Sequence, residues 1–508
     1  VQIKLPKPAE KLAHNQTRSL TMYKENKQIT IFSNPAHFMG AKLDPENRWV
    51  KISQMIPWDE IEEKYKENFS KKIGRPAKPV RMALGSHLIK EKFCLSDEET
   101  VELITESPYL QYFLGLEQFE SKAPFEASMM TWFRKRLTPA MIAEVNQYVI
   151  RSGRKPEKGG KGGGQSGNGP EEGAAAKIEE KQNKGTMIVD ATCVPSDIRF
   201  PTDVSLLSEA REKSEQLIDA LHKKTKASGV RKPRTYRKKA RKEYLRFARN
   251  RNPKKADIRK AIRKQLSYLG RNLKTIAAMG EENLTEKQRN LLETLRTLYE
   301  QQKEMFENRT HAVADRIVSI HSPFVRPIVR GKTNAPVEFG AKVAISLVDG
   351  YAIVEHLSWD AFNEATTLID SIERYREREG FYPERILADK IYRTRELISF
   401  CKANGIKMSG PKLGRPPKDQ EEYRKQCLVE RSEVGERNAV EGEFGTGKRR
   451  YSLDRLSTRL RESSEVQIHL IFLSMNIWKR LRSFSAQFLE LLLWALKWPQ
   501  NSKRLLFQ

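Results

Sequence analysis

Cysteine is scarce in this chain of 508 residues: Cys94, Cys193, Cys401 and Cys427 lie far apart, with no CxxC pair and no Cys/His ligand spacing. That excludes a disulfide scaffold and gives no sign of a zinc site, and it fits reduced cytosolic thiols. Long apolar runs are also missing. The most apolar stretch, Phe488 to Trp498, is short and broken by Glu490 and Lys497, so no bilayer span is expected. The opening residues have no apolar core of the kind a signal sequence needs. A soluble, cytoplasmic protein is expected, with no membrane partner. Acidic residues are outnumbered: 93 Lys and Arg face 65 Asp and Glu, for a formal charge of +28 and a pI near 9.8. A polyanion, most often nucleic acid, is the partner such a balance favours. At roughly 100–200 residues per domain, the length suggests about three domains.

What is present divides the chain into stretches of different character. Residues 1–69 read as an N-terminal arm with a strand or two, at Gln28–Ser33 and Trp49–Ser53. Over 70–152 the apolar residues recur at spacings of three and four (Met82, Leu84, Leu88, Ile89; Val101, Leu103, Ile104; Met130, Phe133, Leu137), which predicts a helical domain. Its basic edges, Lys71 to Arg81 and Arg134 to Arg136, suit DNA binding. Residues 153–184 are Gly-rich and read as a flexible linker. A short β-prone run, Thr186 to Asp190, then ends in a carboxylate.

Residues 205–316 carry long helical patterns. Between Lys223 and Lys264 there are 20 Lys or Arg against Glu243 and Asp257 alone. So lopsided a segment repels itself without counter-charge, and Arg237, Lys238, Lys239, Arg241 and Lys242 are expected to contact a DNA backbone. The flanking stretches, 205–222 and 281–316, read as helices able to pair antiparallel and carry the basic part as an insertion. Strand signals return around the Asp349-Gly350 turn, and Arg385 to Asp389 is another short strand ending in Asp. An amphipathic helix is expected over Phe362–Tyr375, an apolar core helix over Val466–Trp478 and a helical tail over 481–508.

A third carboxylate stands on a later helix. Arg437, Glu441 and Lys448 follow one another at i, i+4 and i+11, so one helix face presents an acid between two cations. Two strands ending in Asp, a hairpin between them and a helix bearing Glu describe an α/β, RNase H-like domain: a mixed sheet flanked by helices, spanning 185–204 and 317–480, with the helical insertion inside it and a separate all-α domain ahead. Three carboxylates at one rim suit two hard cations, Mg²⁺ or Mn²⁺, spaced about 3.5–4 Å for phosphodiester chemistry. Glu443 competes with Glu441 but would face away from Arg437 on a helix. Asp197, Asp203 and Asp349 read as turn or surface residues, and His356 as a packing or surface residue. Trp359 reads either as a platform for an unpaired base or as core.

These residues resemble the DDE transposases of bacterial insertion sequences. The likeness rests on Ile-Val-Asp190-Ala-Thr, on Ala-Asp389-Lys-Ile-Tyr392 and on Arg437-x3-Glu441-x6-Lys448, which is similar to a Tyr-x2-Arg-x3-Glu-x6-Lys signature; Val434 stands where the signature has tyrosine. It implies Asp190, Asp389 and Glu441 as metal ligands and catalytic residues, with two Mg²⁺ or Mn²⁺ ions. Arg437, Lys448 and Lys390 would contact DNA, and Tyr392 would support Asp389. It further implies hydrolysis at the terminal inverted repeats of an element, then attack of the freed 3′-hydroxyl on target DNA, by a homo-oligomer, at least a dimer, on double-stranded DNA. A structure-directed RNase H-like nuclease and a non-cleaving DNA-binding derivative are the alternatives.

Overall fold

The computed structural model describes residues 42–69, 77–153, 182–225, 231–329, 337–410 and 419–497. The expected strand at Gln28–Ser33, most of the Gly-rich linker and the basic stretch 71–76 lie outside them. The chain divides into two compact units, Val1–Ser86 with Glu99–Leu137, and His87–Glu98 with Thr138–Gln508.

In its described residues the first unit is helical: α1 (Arg48–Met55), α2 (Trp58–Glu67), the first half of α3 (Val80–Phe93), α4 (Asp97–Glu106), α5 (Pro108–Phe113) and α6 (Ser128–Arg136). The strand expected at Trp49–Ser53 is helix. Asn47 caps it by accepting from the Trp49 amide, and Trp49, Val50, Ile52, Ser53 and Met55 are buried, a helical spacing that a five-residue window hides. Phe113 sits at the centre, with the Trp49 and Trp58 rings 5.1 and 5.7 Å away. Two of the basic residues expected at the edges are instead structural. Arg81 donates to the Tyr112 and Phe113 carbonyls at 2.8 Å, and Arg134 is buried. Arg136 lies over the Phe69 ring, which leaves Lys135 as the exposed cation of its cluster.

The second unit holds a six-stranded mixed sheet. Its strands are β1 (Thr186–Pro195), β2 (Arg326–Val329), β3 (Val337–Val348), β4 (Tyr351–Ser358), β5 (Arg385–Leu387) and β6 (Lys407–Met408), in the order β2-β3-β1-β5-β6, with β4 also on β3. β1 runs antiparallel to β3 and parallel to β5. Gly340 lets β1 and β3 approach, because a Cβ there would meet the Val194 carbonyl oxygen at 2.0 Å. Asp349 and Gly350 both have positive φ, 53° and 80°, as a two-residue hairpin turn between β3 and β4 requires.

Helices flank this sheet: α7 (Pro139–Gly153), α12 (Leu368–Glu379), α13 (Arg395–Ala403), α14 (Gln420–Arg450) and α15 (Arg461–Lys497). The helix expected from Phe362 starts as a 3-10 turn, Glu364–Thr367, before α12. α15 runs without a break through residue 481, where a separate tail was expected. Asn476 pins α15 inside the unit, donating to Asn146 on α7 and the Ala352 carbonyl and accepting from the Ala352 amide. Glu355 on β4 is buried yet satisfied by Ser346, Arg374 and Arg378, which anchors α12 to the sheet.

Between β1 and β2 stand α8 (Asp203–Thr225), α9 (Arg237–Ala248), α10 (Lys255–Ala278) and α11 (Glu286–Asn308). They bury a core of their own from Leu207, Ile218, Leu221, Leu269, Leu295 and Leu298. α8 packs against α10 as well as α11, so the basic segment supplies a main helix of this core and is not merely carried by its flanks.

Candidate active site

Asp190 lies in the middle of β1 and not at its end. It is held opposite Ile345 of β3, whereas β5 accompanies β1 only as far as Ile188. The carboxylate therefore stands where one side of the strand has lost its neighbour. It accepts from the Ala191 amide at 2.8 Å. Burial pushes its pKa up to about 6, helped by the negative charges of Glu364 and Asp389 and opposed by Arg437.

Asp389 lies two residues past β5, where it caps the 3-10 turn Lys390–Tyr392 by accepting from the Lys390 amide at 2.7 Å. Lys390 is exposed beside it. Tyr392 is buried and shares a hydrogen bond with Glu364; burial and the nearby acids raise its phenol well above the ordinary range. Its turn packs against the Glu364–Thr367 turn. Glu364 was not foreseen at this site. Its carboxylate pairs with Lys342 at 2.9 Å and lies in the electrostatic neighbourhood of Asp190. Nothing local marks it, because only the packing of two turns brings it there.

α14 delivers the third carboxylate. Val440 and Phe444 are buried, and two acids latch the helix to the sheet: Glu436 takes Arg385 of β5 in a two-pronged pair at 2.6 and 3.2 Å, and Glu433 takes Lys407 of β6 at 3.2 Å. So fixed, Arg437 reaches Glu441 at 3.5 Å and Asp389 at 3.9 Å. The Glu441 and Asp389 carboxylates are more than half exposed, while Arg437 is 19% exposed. Glu443 turns to Lys479 of α15 at 3.4 Å. Lys448 is half-buried further along α14. Asp190, Asp389 and Arg437 thus share one electrostatic neighbourhood, and Arg437 links it to Glu441. Among the described residues, however, no group of three or more His, Cys, Asp or Glu side chains stands close enough to hold a metal ion.

Other expected residues fall elsewhere. Arg237 is bound by Asp219 at 2.9 and 2.8 Å, and Lys232 joins the same carboxylate, whose pKa is held at about 2 chiefly by Arg237. Lys238, Lys239, Arg241 and Lys242 are exposed. Trp359 is no open platform: it is buried, donates to Glu465 at 2.9 Å and packs edge-on against Phe324. His356 packs against Phe362, Asp197 pairs with Arg455, and Asp203 with Arg316.

Comparison with known proteins bears on this arrangement. Residues 386–478 match the family described as Transposase DDE domain, a span that contains Asp389, Arg437, Glu441 and Lys448. Residues 37–136 match the Transposase domain (DUF772). The chain belongs to the DDE transposases. A curated relative, the uncharacterized protein ORF8 in the nfe locus of Rhizobium meliloti, is 33% identical over 172 residues, which is 34% of this chain and 73% of that protein. No solved structure matches. The transposase families make DNA the partner of this chain. Among the described residues no helix is long and apolar enough to cross a membrane.

Proposed function

We propose that this transposase cuts and joins DNA at a site made of Asp190, Asp389 and Glu441 in an RNase H-like domain, acting at the terminal inverted repeats of an insertion sequence. The observation that carries the reading is one guanidinium, Arg437, set between carboxylates of two different segments beside a third whose charge is disfavoured. Such a site is short of positive charge. Its donors are all hard oxygens, which suit Mg²⁺ or Mn²⁺. Asp190, Asp389 and Glu441 would hold the ions, two per site, which when bound supply Lewis-acid stabilisation of the phosphate oxygens.

The remaining roles belong to the chain's own side chains. Arg437 and Lys448 neutralise phosphate from the α14 side, and Lys390 does so from the Asp389 turn. Tyr392, through Glu364, keeps that turn in place. The exposed cations of α9 hold the duplex backbone. Water attacks the scissile phosphate in line and expels the element's 3′-hydroxyl; that hydroxyl then attacks a target phosphate at the same centre and expels the target strand's own 3′-hydroxyl, without a covalent protein intermediate, and two copies hold the two ends in the bacterial cytoplasm.

The test is a duplex carrying the element's own end, incubated with the purified protein and Mg²⁺. Nicking and joining are expected, and Asp190→Asn or Glu441→Gln should slow both on the order of 10³-fold with DNA binding retained. An inert wild-type protein would sink the proposed chemistry; active variants would sink only the assignment of its residues.

A further inference from the structure

The helical insertion holds a cavity of about 660 Å³ at its root, where α8 and α10 begin and α11 ends. It shares no residue with the acidic rim. Its floor is Ile258 and Ile262 of α10 with Met305 and Phe306 of α11; Ile262 and Met305 are buried, and Ile258 and Phe306 pack against the insertion's own core. Arg259 braces this floor, its guanidinium 4.0 Å from the centre of the Phe306 ring and donating to the Phe306 carbonyl at 3.0 Å. Charge at the mouth is one-sided. The lining carries a single acid, Asp203, which already accepts from Arg316 at 2.7 Å and Gln302 at 3.1 Å, with His311 3.8 Å away. Lys255 and Arg309 are exposed and form no ion pair among the described residues. Arg309 also ends α11 in the left-handed region, φ 52°, where glycine is the relaxed choice. A cation is held at the mouth at a conformational cost, which points to a role beyond ending the helix.

We propose that this cavity binds a small amphiphilic anion, its apolar body on the floor of Ile258, Ile262, Met305 and Phe306 and its carboxylate or phosphate head between Lys255 and Arg309. The volume lies in the range of about 300–1,000 Å³ usual for small-molecule sites, whose form is an apolar lining with a few fixed polar groups. The floor alone would take a neutral body, and the two cations alone would take any phosphate, a DNA backbone included. Together they select a molecule that has both parts. The cavity is lined both by Asp203, where the chain enters the insertion, and by Thr310, where it leaves. A bound anion therefore ties entry and exit together at the root.

Titration calorimetry of the full chain tests the site with four probes: decanoate, an acyl carboxylate; naphthyl phosphate, an aryl phosphate; decanol; and inorganic phosphate. One site per chain is expected for decanoate or naphthyl phosphate, the tighter of the two naming the source of the head, with decanol and inorganic phosphate at least about tenfold weaker. The double variant Lys255→Ala, Arg309→Gly should weaken the tighter probe on the order of tenfold. Both positions are exposed and glycine suits the backbone of Arg309, so the variant should fold, which far-UV circular dichroism checks. Arg263→Ala, which removes an exposed cation of α10 outside the cavity, should leave the affinity unchanged. The site is overturned if the double variant binds like wild type, if Arg263→Ala weakens binding equally, if decanol or inorganic phosphate binds as tightly as the anions with apolar bodies, or if no probe binds. None of these results touches the cutting chemistry proposed at Asp190, Asp389 and Glu441.

Discussion

The helical insertion and the sheet rim both concentrate charge, and they deal with it in opposite ways. In the insertion charges are paired among its own helices: the buried Arg211 with Glu215 at 2.6 Å, and the half-buried Arg237 with Asp219 and Lys264 with Glu243. On α9 the surplus that faces outward, Lys238, Lys239, Arg241 and Lys242, is cationic. At the rim, acids from three distant segments gather near a single half-buried guanidinium, Arg437, which stands 3.5 Å from Glu441 and 3.9 Å from Asp389 and must serve both. The insertion is electrostatically complete without a ligand except for its surface, while the rim is incomplete without one. Pairing, more than charge itself, separates scaffold from site.

The largest effect is expected where that pairing is deepest. Arg211 is 1% exposed and also contacts Glu212, Ser208 and Gln265. Arg211→Ala should cost about 3–5 kcal/mol, because it strands Glu215 in the core. Replacing Arg211 and Glu215 together by Met and Leu should recover most of that loss. Urea unfolding followed by far-UV circular dichroism measures both. A single variant near wild type would mean that the insertion core does not depend on this pair.

The rim should respond to removal of a charge in the opposite direction. An unfolded Asp190 gives up its proton near 3.8, whereas the folded protein keeps it until about 6. Holding the proton favours the folded state, so stability is full below pH 3.8 and falls as pH rises through that window. Above pH 6 the metal-free protein carries a penalty of about 1–3 kcal/mol from this one group. In EDTA at pH 7.5, Asp190→Asn should therefore raise Tm, and the gain should vanish near pH 4. A lower Tm at both pH values would show that Asp190 is not strained by its surroundings.

Much of this was legible in the chain, and what was not has a common cause. Asp389, Glu441 and the helix that carries Arg437 follow from local spacing, since Glu441 lies one turn from Arg437. The place of Asp190 within its strand does not, because β1 continues past it on the support of β3, far away in sequence. Glu364 reaches the site only through the contact of two 3-10 turns. Arg81 and Arg134 read as surface chemistry from composition and turned inward, and Trp359, open to a platform or a core reading, took the core one, because carbonyls, a carboxylate or an apolar core were waiting for them. Residue type announced charge, and tertiary packing decided whether that charge was spent.

Arg237 and Lys238 put this distinction to its finest test, being adjacent cations of the same helix with equal claims from sequence. Arg237 is engaged by Asp219 through two hydrogen bonds, while Lys238 is exposed. Arg237→Ala should cost about 0.5–1 kcal/mol of stability, because the pair is partly exposed and solvent weakens it, and should leave the salt dependence of DNA binding unchanged. Lys238→Ala should change stability by less than about 0.5 kcal/mol and lower the salt slope by about one. If the two variants exchanged these behaviours, or both altered the slope alike, the rule that a partnered cation belongs to the scaffold would fail on α9, and with it the ground for excluding Arg237 from the DNA-binding surface.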